Sequence, residues 1–153
     1  MADQTIIASP FFRHDVIDKV ISATPSSDHR TMLALLASKI RLCEDDLASA
    51  SPPCDGVQKL LSSRTRYAKL LLEDIQVGKA ESETSRLLQY CRDIDRRHEQ
   101  EVYSADTVAA ALHTQLECLE MLREIDESLG KQGRVKRWIE QKAKLLDRMA
   151  AGQ

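Results

Sequence analysis

The positions of glycine and proline constrain the fold of this chain more than any other feature. All five glycines and four prolines of the 153 residues lie where a helix could begin or end. They are Pro10, Pro25, Pro52, Pro53, Gly56, Gly78, Gly130, Gly133 and Gly152. The segments between them are rich in Leu, Ala, Glu, Lys and Arg, which have high helix propensity. The pattern predicts an all-α protein, an antiparallel four- or five-helix bundle with coiled-coil character.

The composition agrees with a soluble helical domain. Hydrophobic residues make up 42% of the chain, while 30% are charged and only 4% are aromatic, which suits helix packing better than sheet packing. No apolar run approaches the roughly 20 residues that a transmembrane helix needs, and the N-terminus lacks the features of a signal peptide. We therefore expect a cytoplasmic or nuclear protein. The net charge of -2 argues against nucleic-acid binding along the whole chain.

The glycines and prolines divide the predicted domain, which spans residues 1–153, into four segments. These are a disordered stretch at 1–8, a short amphipathic helix at 9–24, a helical hairpin at 28–77, and a long helix with a basic C-terminal helix at 82–150. Ser9 and Pro10 form a typical helix start, because a hydroxyl cap precedes a proline whose missing N–H costs nothing there. Gly78 is expected to end the hairpin as a left-handed cap.

The longest interval without glycine or proline contains a heptad ladder. With Leu87 and Ile94 at a positions, nine of the thirteen a and d sites over residues 87–129 are apolar. The ladder weakens near His98, and Ser104 could cap a new helix, so two structures remain open. An unbroken helix over 82–129 would be a rod of roughly 72 Å that exposes part of its apolar stripe to another chain. A break near Ser104 would let the two halves cover each other.

The last hairpin separates its charges by sign. Residues 106–129 carry six acids and one base, and residues 131–149 carry seven bases and two acids, so their net charges are -5 and +5. The basic segment is also amphipathic, because its apolar residues lie at helical spacing: Val135, Trp138, Ile139, Leu145, Leu146 and Met149. This helix either folds onto its acidic neighbour or binds an external anionic partner, such as a membrane surface or a nucleic acid.

The residue types that build active sites do not converge in this sequence. The pair His98-Glu99 lacks the second histidine of a zinc motif, and the four cysteines lack metal-binding spacing, so we expect reduced and mostly buried thiols. No phosphate-binding glycine loop or nucleophile motif is present. The sequence predicts no catalytic, cofactor or metal site. An enzyme built on a helical bundle would require carboxylates or histidines that meet in a pocket.

The remaining hypothesis is a non-enzymatic adaptor or scaffold subunit of a larger complex, which binds other helical subunits or a second copy. The alternative is a peripheral binder of anionic membrane or nucleic acid that acts through the basic C-terminal helix. The candidate partner-binding residues lie on the N-terminal helix, the heptad ladder and the basic helix. They are Phe11, Phe12, Val16, Leu87, Ile94, Arg134, Lys136, Arg137 and Trp138.

Overall fold

Six α-helices follow one another in the computed structural model, which describes residues 10–49, 55–97 and 103–152. They are α1 (Pro10–Ala23), α2 (His29–Leu47), α3 (Gly56–Glu73), α4 (Val77–Arg97), α5 (Ala105–Ser128) and α6 (Gln132–Ala151). The described residues form no strand. The predicted all-α bundle is therefore confirmed, and the described ranges contain six helices. The predicted disorder at 1–8 lies outside the described residues.

Side-chain pairs show that α2 runs antiparallel to both α1 and α3. In α1 and α2, Asp18 pairs with Lys39 while His14 lies beside Asp46. At the other end of α2, His29 meets Asp74 just beyond the end of α3. The last helix, α6, packs beside α4 and runs parallel to it. Arg134 in the first turn of α6 contacts Glu81 near the start of α4, and Arg148 in the last turn pairs with Asp95 near the end of α4.

Three groups of contacting side chains make up most of the core that the described residues form. The largest joins α3, α4, α5 and α6. A second, formed by Ile21, Met32, Leu36 and Leu70, attaches α1 and α2 to α3. A third, formed by Leu71, Ala80 and Ile125, closes the end of the bundle where α3 turns into α4. The short first helix thus packs on its own bundle.

The long ladder is broken in the structure. The helix α4 ends at Arg97, residues 98–102 lie outside the described part, and α5 begins at Ala105. Ser104 is the N-cap, with φ -66° and ψ 158°, and its hydroxyl accepts a hydrogen bond from the Thr107 N–H at 3.2 Å. A Ser side chain satisfies a backbone N–H that would otherwise lack a partner at the helix start. The apolar positions of α4 and α5 then cover each other.

Gly130 follows the last turn of α5 and closes the helix with a left-handed cap. Gly130 has φ +73°, the Lys131 N–H donates to the Asp126 carbonyl at 2.9 Å, and the Gly130 N–H donates to Glu127 at 3.1 Å. These two bonds form a Schellman motif, in which a left-handed residue closes the helix. The turn brings α6 back onto α5.

The cap predicted at Gly78 is wrong. Helix α3 ends at Glu73, and Ile75 takes the left-handed conformation with φ 61°, while Gly78 lies in the first turn of α4. The Gln76 N–H donates to the Leu71 carbonyl at 2.9 Å, so the same motif is built on an isoleucine. Leu71 and Ala80 must both reach the core cluster around Ile125, which leaves only a short reversal between them. Tertiary packing therefore overrides the local preference for glycine.

We predict that replacing Ile75 with glycine stabilises the protein. The left-handed conformation costs an L-residue roughly 1–2 kcal/mol, and the cost is highest for β-branched side chains. Ile75 is 83% exposed, so little packing is lost with its side chain. The free energy of unfolding in urea should rise by about 1 kcal/mol in Ile75→Gly. Ile75→Ala is the matched control, because it removes the exposed side chain but keeps Cβ. Equal stability of the two variants would contradict the explanation.

Candidate functional site

The last helix is held on the bundle by one apolar face. Val135 and Leu145 are buried, and Trp138 and Met149 are half-buried against the main core cluster. These four residues fall on one side of a helix with 3.6 residues per turn. The principal apolar face of α6 is thus used inside the chain.

A buried carboxylate fixes the first turns of α6. Asp126 of α5 is 1% exposed, and its Oδ2 accepts a hydrogen bond from the Trp138 indole N–H at 2.6 Å. The Arg134 Nε lies 3.2 Å from the same oxygen, and Arg134 also reaches Glu81 of α4 at 3.2 Å. Buried charges are tolerated when they are paired and hydrogen-bonded. Oδ2 of Asp126 is satisfied in this way, whereas Oδ1 is buried without a hydrogen-bond partner among the described residues. These bonds set the register of α6 on α5.

Further along α6, ion pairs lead to two different helices. Lys142 contacts Glu120 of α5 at 3.1 Å, and Arg148 pairs with Asp95 of α4. Hydrogen bonds from Arg123, and then from Lys142, lower the pKa of Glu120 to about 2. The basic helix therefore folds onto its acidic neighbour, as one of the two sequence interpretations held. Other basic residues of α6 pair with α4 instead, namely Arg134 with Glu81 and Arg148 with Asp95. Within α5, Arg123 pairs with Glu120 and Glu127.

A second apolar stripe on α6 is not covered by the described residues. Ile139 and Leu146 are 51% and 45% exposed, and Ala143 and Ala150 are exposed on the same side of the helix. The four positions advance in steps of four, three and four, which is the spacing of a coiled-coil seam. We call Ile139, Ala143, Leu146 and Ala150 the α6 seam. Apolar seams of this kind are typical of helix-helix interfaces.

Charged side chains flank the α6 seam. Lys136 lies one turn before Ile139, while Glu140 and Asp147, seven residues apart, directly follow Ile139 and Leu146, and all three are exposed. None of the three forms an ion pair with another residue in the described ranges. Arg137 is also exposed, but it lies on the opposite side of α6 from Ile139 by helical geometry.

Two of the predicted contact residues are in the core, which corrects that prediction. Leu87 is 0% exposed and Ile94 is buried beside it in the main cluster. The prediction depended on an unbroken ladder, which the shorter helices would be unable to cover completely. Since the helix is interrupted at Ser104, α5 packs against α4 and covers both residues.

The predicted contacts on α1 have mixed outcomes. The side chains of Phe11 and Phe12 lie outside the described part, whereas Val16 is 43% exposed. A buried pair holds this helix to α2, because His14 Nε2 lies 2.6 Å from Asp46 Oδ2. An exposed valine on α1 makes this helix the second candidate surface.

The described residues contain no group of three or more His, Cys, Asp or Glu side chains placed to hold a metal ion. Cys43, Cys91 and Cys118 are free and buried, and Cys54 lies outside the described residues. Burial raises the pKa of Cys91 to about 12 and also raises that of Cys118. Thiols in such surroundings are poor nucleophiles, because the reactive form is the thiolate.

The helical spacing of apolar residues does not by itself distinguish the two apolar faces of α6. This spacing predicts a single apolar surface that includes Ile139 and Leu146 together with Trp138 and Leu145. The sequence feature that distinguishes the outer face is the spacing of four, three and four residues between Ile139, Ala143, Leu146 and Ala150. On a helix these four residues form a stripe next to the one that faces the core.

Among the described helices, none has the length and apolar content to cross a membrane. Comparison with family models, curated proteins and solved structures found no match to this chain.

Proposed function

We propose that this chain is a non-enzymatic helical adaptor, which holds a helix of another protein subunit along the α6 seam. The observation that supports it is the exposure of Ile139 and Leu146, seven residues apart on a helix whose other apolar face is already packed. Large apolar side chains at coiled-coil spacing gain free energy when a second helix covers them.

The flanking charges indicate the chemistry of the partner. A helix that lies along the α6 seam would carry its own apolar stripe at three- and four-residue spacing. An acidic side chain near Lys136 and basic side chains near Glu140 and Asp147 would complement the charges beside the α6 seam. Such charges fix orientation and register more than they add affinity. We therefore propose as the occupant an amphipathic helix with an acidic residue opposite Lys136 and basic residues along the rest of the α6 seam.

The alternative function is binding to anionic membrane or nucleic acid, and the packing of α6 determines which of its residues are free to make such contacts. The side chains that would enter a bilayer, Trp138 and Leu145, are engaged with α5 and the main core cluster. Lys136, Arg137 and Lys144 remain exposed and would be its contacts. Binding to anionic vesicles or DNA that falls steeply with salt, and disappears in Lys136→Glu/Arg137→Glu, would favour this alternative over the adaptor.

Site-specific photo-cross-linking tests whether a helix of another protein lies on the α6 seam. The photoreactive residue benzoylphenylalanine replaces Ile139 or Leu146 in the full chain, expressed in the cells that make it. Gln89, an exposed residue of α4, is the matched control position. We expect one discrete product at 139 and 146 that is absent at 89. Mass spectrometry should place the attachment in an amphipathic helix of a different protein.

Other outcomes would overturn the proposal. Irradiation without a discrete product at 139 and 146 would mean that no chain lies on the α6 seam. The same products at 89 would indicate nonspecific contact, and attachment to a second copy of this chain would replace the adaptor with a homodimer.

A further inference from the structure

Four cationic side chains surround one cleft between α4, α5 and α6. Arg92 and Arg96 come from α4, and Lys144 and Arg148 come from α6. The cleft has two lobes of about 320 and 410 Å³ that share Arg92, Arg148 and Gln115 of α5. We call this the cationic cleft.

The charge of the cationic cleft is only partly compensated within the described residues. Asp95 lies in the cleft and pairs with Arg148, and Asp93 lies 3.7 Å from Arg96. Arg92 donates to the neutral Gln141 Oε1 at 2.6 Å, and neither Arg92 nor Lys144 pairs with a described carboxylate. An arginine offers several N–H donors in one plane, so one bond to Gln141 leaves others free. Like charges that converge on a cleft favour occupation by an anion.

Gln115 of α5 lies between the two lobes of the cationic cleft. It lines both lobes and is only 5% exposed. Its Nε2 has no hydrogen-bond acceptor among the described residues, but this nitrogen is closed to solvent, so a ligand in the cleft does not reach it. The groups that can bind an anion are therefore the cationic side chains of α4 and α6.

We propose that the cationic cleft binds a phosphate dianion, either inorganic phosphate or the phosphate group of a small monoester. Arg92 of α4 and Arg148 of α6 contact its oxygens from the two sides. Guanidinium groups match phosphate oxygens in geometry and charge, which favours phosphate over a halide. The ligand joins α4 and α6 and so stabilises the attachment of α6.

Thermal unfolding in the presence of inorganic phosphate tests the site, with sodium chloride as the control for ionic strength. The melting temperature of the wild type should rise with phosphate in a saturable way, because the ligand binds only the folded chain. In Arg92→Leu the dissociation constant should rise about tenfold or more, since a charged hydrogen bond is lost. Arg86→Leu is the matched control, because Arg86 is a solvent-exposed arginine of α4 outside the cleft. It should change affinity less than about twofold, as expected for a screened surface charge.

A second variant separates ligand binding from structure. Lys144→Leu removes an exposed cation of the cleft that pairs with no described carboxylate, so its melting temperature without phosphate should match that of the wild type. Its dissociation constant for phosphate should rise about threefold or more. Phenyl phosphate serves as the monoester probe and should compete with inorganic phosphate for the wild-type site. The proposal fails if the wild type responds to phosphate and chloride alike, or if Arg92→Leu and Arg86→Leu weaken binding equally.

Discussion

Leu87→Ala should lower the free energy of unfolding by about 3 kcal/mol, as for other fully buried leucines replaced in a packed core. Leu87 is completely buried among side chains of the main cluster, to which α3, α5 and α6 also contribute. Alanine leaves a cavity that the surrounding helices fill only in part, so the lost contacts add to the lost transfer free energy. Guanidinium titration followed by circular dichroism measures the change.

Leu146→Ala is the matched control for this prediction, because it makes the same substitution on the exposed α6 seam. It should cost less than about 1 kcal/mol. If Leu87 were instead part of a partner surface, the two variants would have similar stability. That result would contradict the placement of Leu87 in the core.

Asp126→Ala should lower the free energy of unfolding by about 2 kcal/mol. The substitution deprives the Trp138 indole N–H of its acceptor and leaves Arg134 with Glu81 as its remaining partner. Asp126→Asn should cost about half as much, because an amide oxygen can still accept from Trp138 while the charge is lost. Denaturant titration gives the free energies, and the fluorescence of Trp138, the only tryptophan, reports on its surroundings.

The control for Asp126 is Asp147→Ala, which removes an exposed carboxylate of α6. A surface change of this kind should alter stability by less than about 0.5 kcal/mol. If Asp126→Ala were as mild as Asp147→Ala, the attachment of α6 through Asp126 would be wrong.

The helix boundaries that could be predicted from sequence are those with a local chemical cause. Pro10 starts α1, Asp28 caps α2 through the Thr31 N–H, and Ser104 caps α5. Gly130 closes α5 with a positive φ. Each depends on groups within a few residues, so the sequence alone carries the information.

The end of α3 could not be predicted in this way. Nothing in the local sequence favours a left-handed Ile75 over the nearby Gly78. The reversal is set by Leu71 and Ala80, which pack on Ile125 more than forty residues further along the chain. Long-range packing of this kind is visible only in three dimensions.

The candidate site could be predicted only in part, because the orientation of α6 also depends on long-range packing. The sequence identified α6 as basic and amphipathic, and its folding onto α5 was one of two interpretations. Which apolar residues face inward depends on the bond from Trp138 to Asp126, which sets the rotation of α6 about its axis. Gln115 occupies an a position of the ladder, yet its missing hydrogen-bond acceptor emerges only when the surroundings of α5 are known.

The most direct test of the adaptor function compares the two candidate surfaces in one binding measurement. The helical segment identified by cross-linking is synthesised with a fluorescent label and titrated with the wild type, Ile139→Asp and Val16→Asp. Both substitutions place a carboxylate on a half-exposed apolar position, one on α6 and the other on α1. We predict that Ile139→Asp weakens binding about 30-fold or more, as at an interface hot spot, and that Val16→Asp changes it less than about twofold. The reverse order, or unchanged binding by a folded Ile139→Asp, would contradict the assignment of the α6 seam.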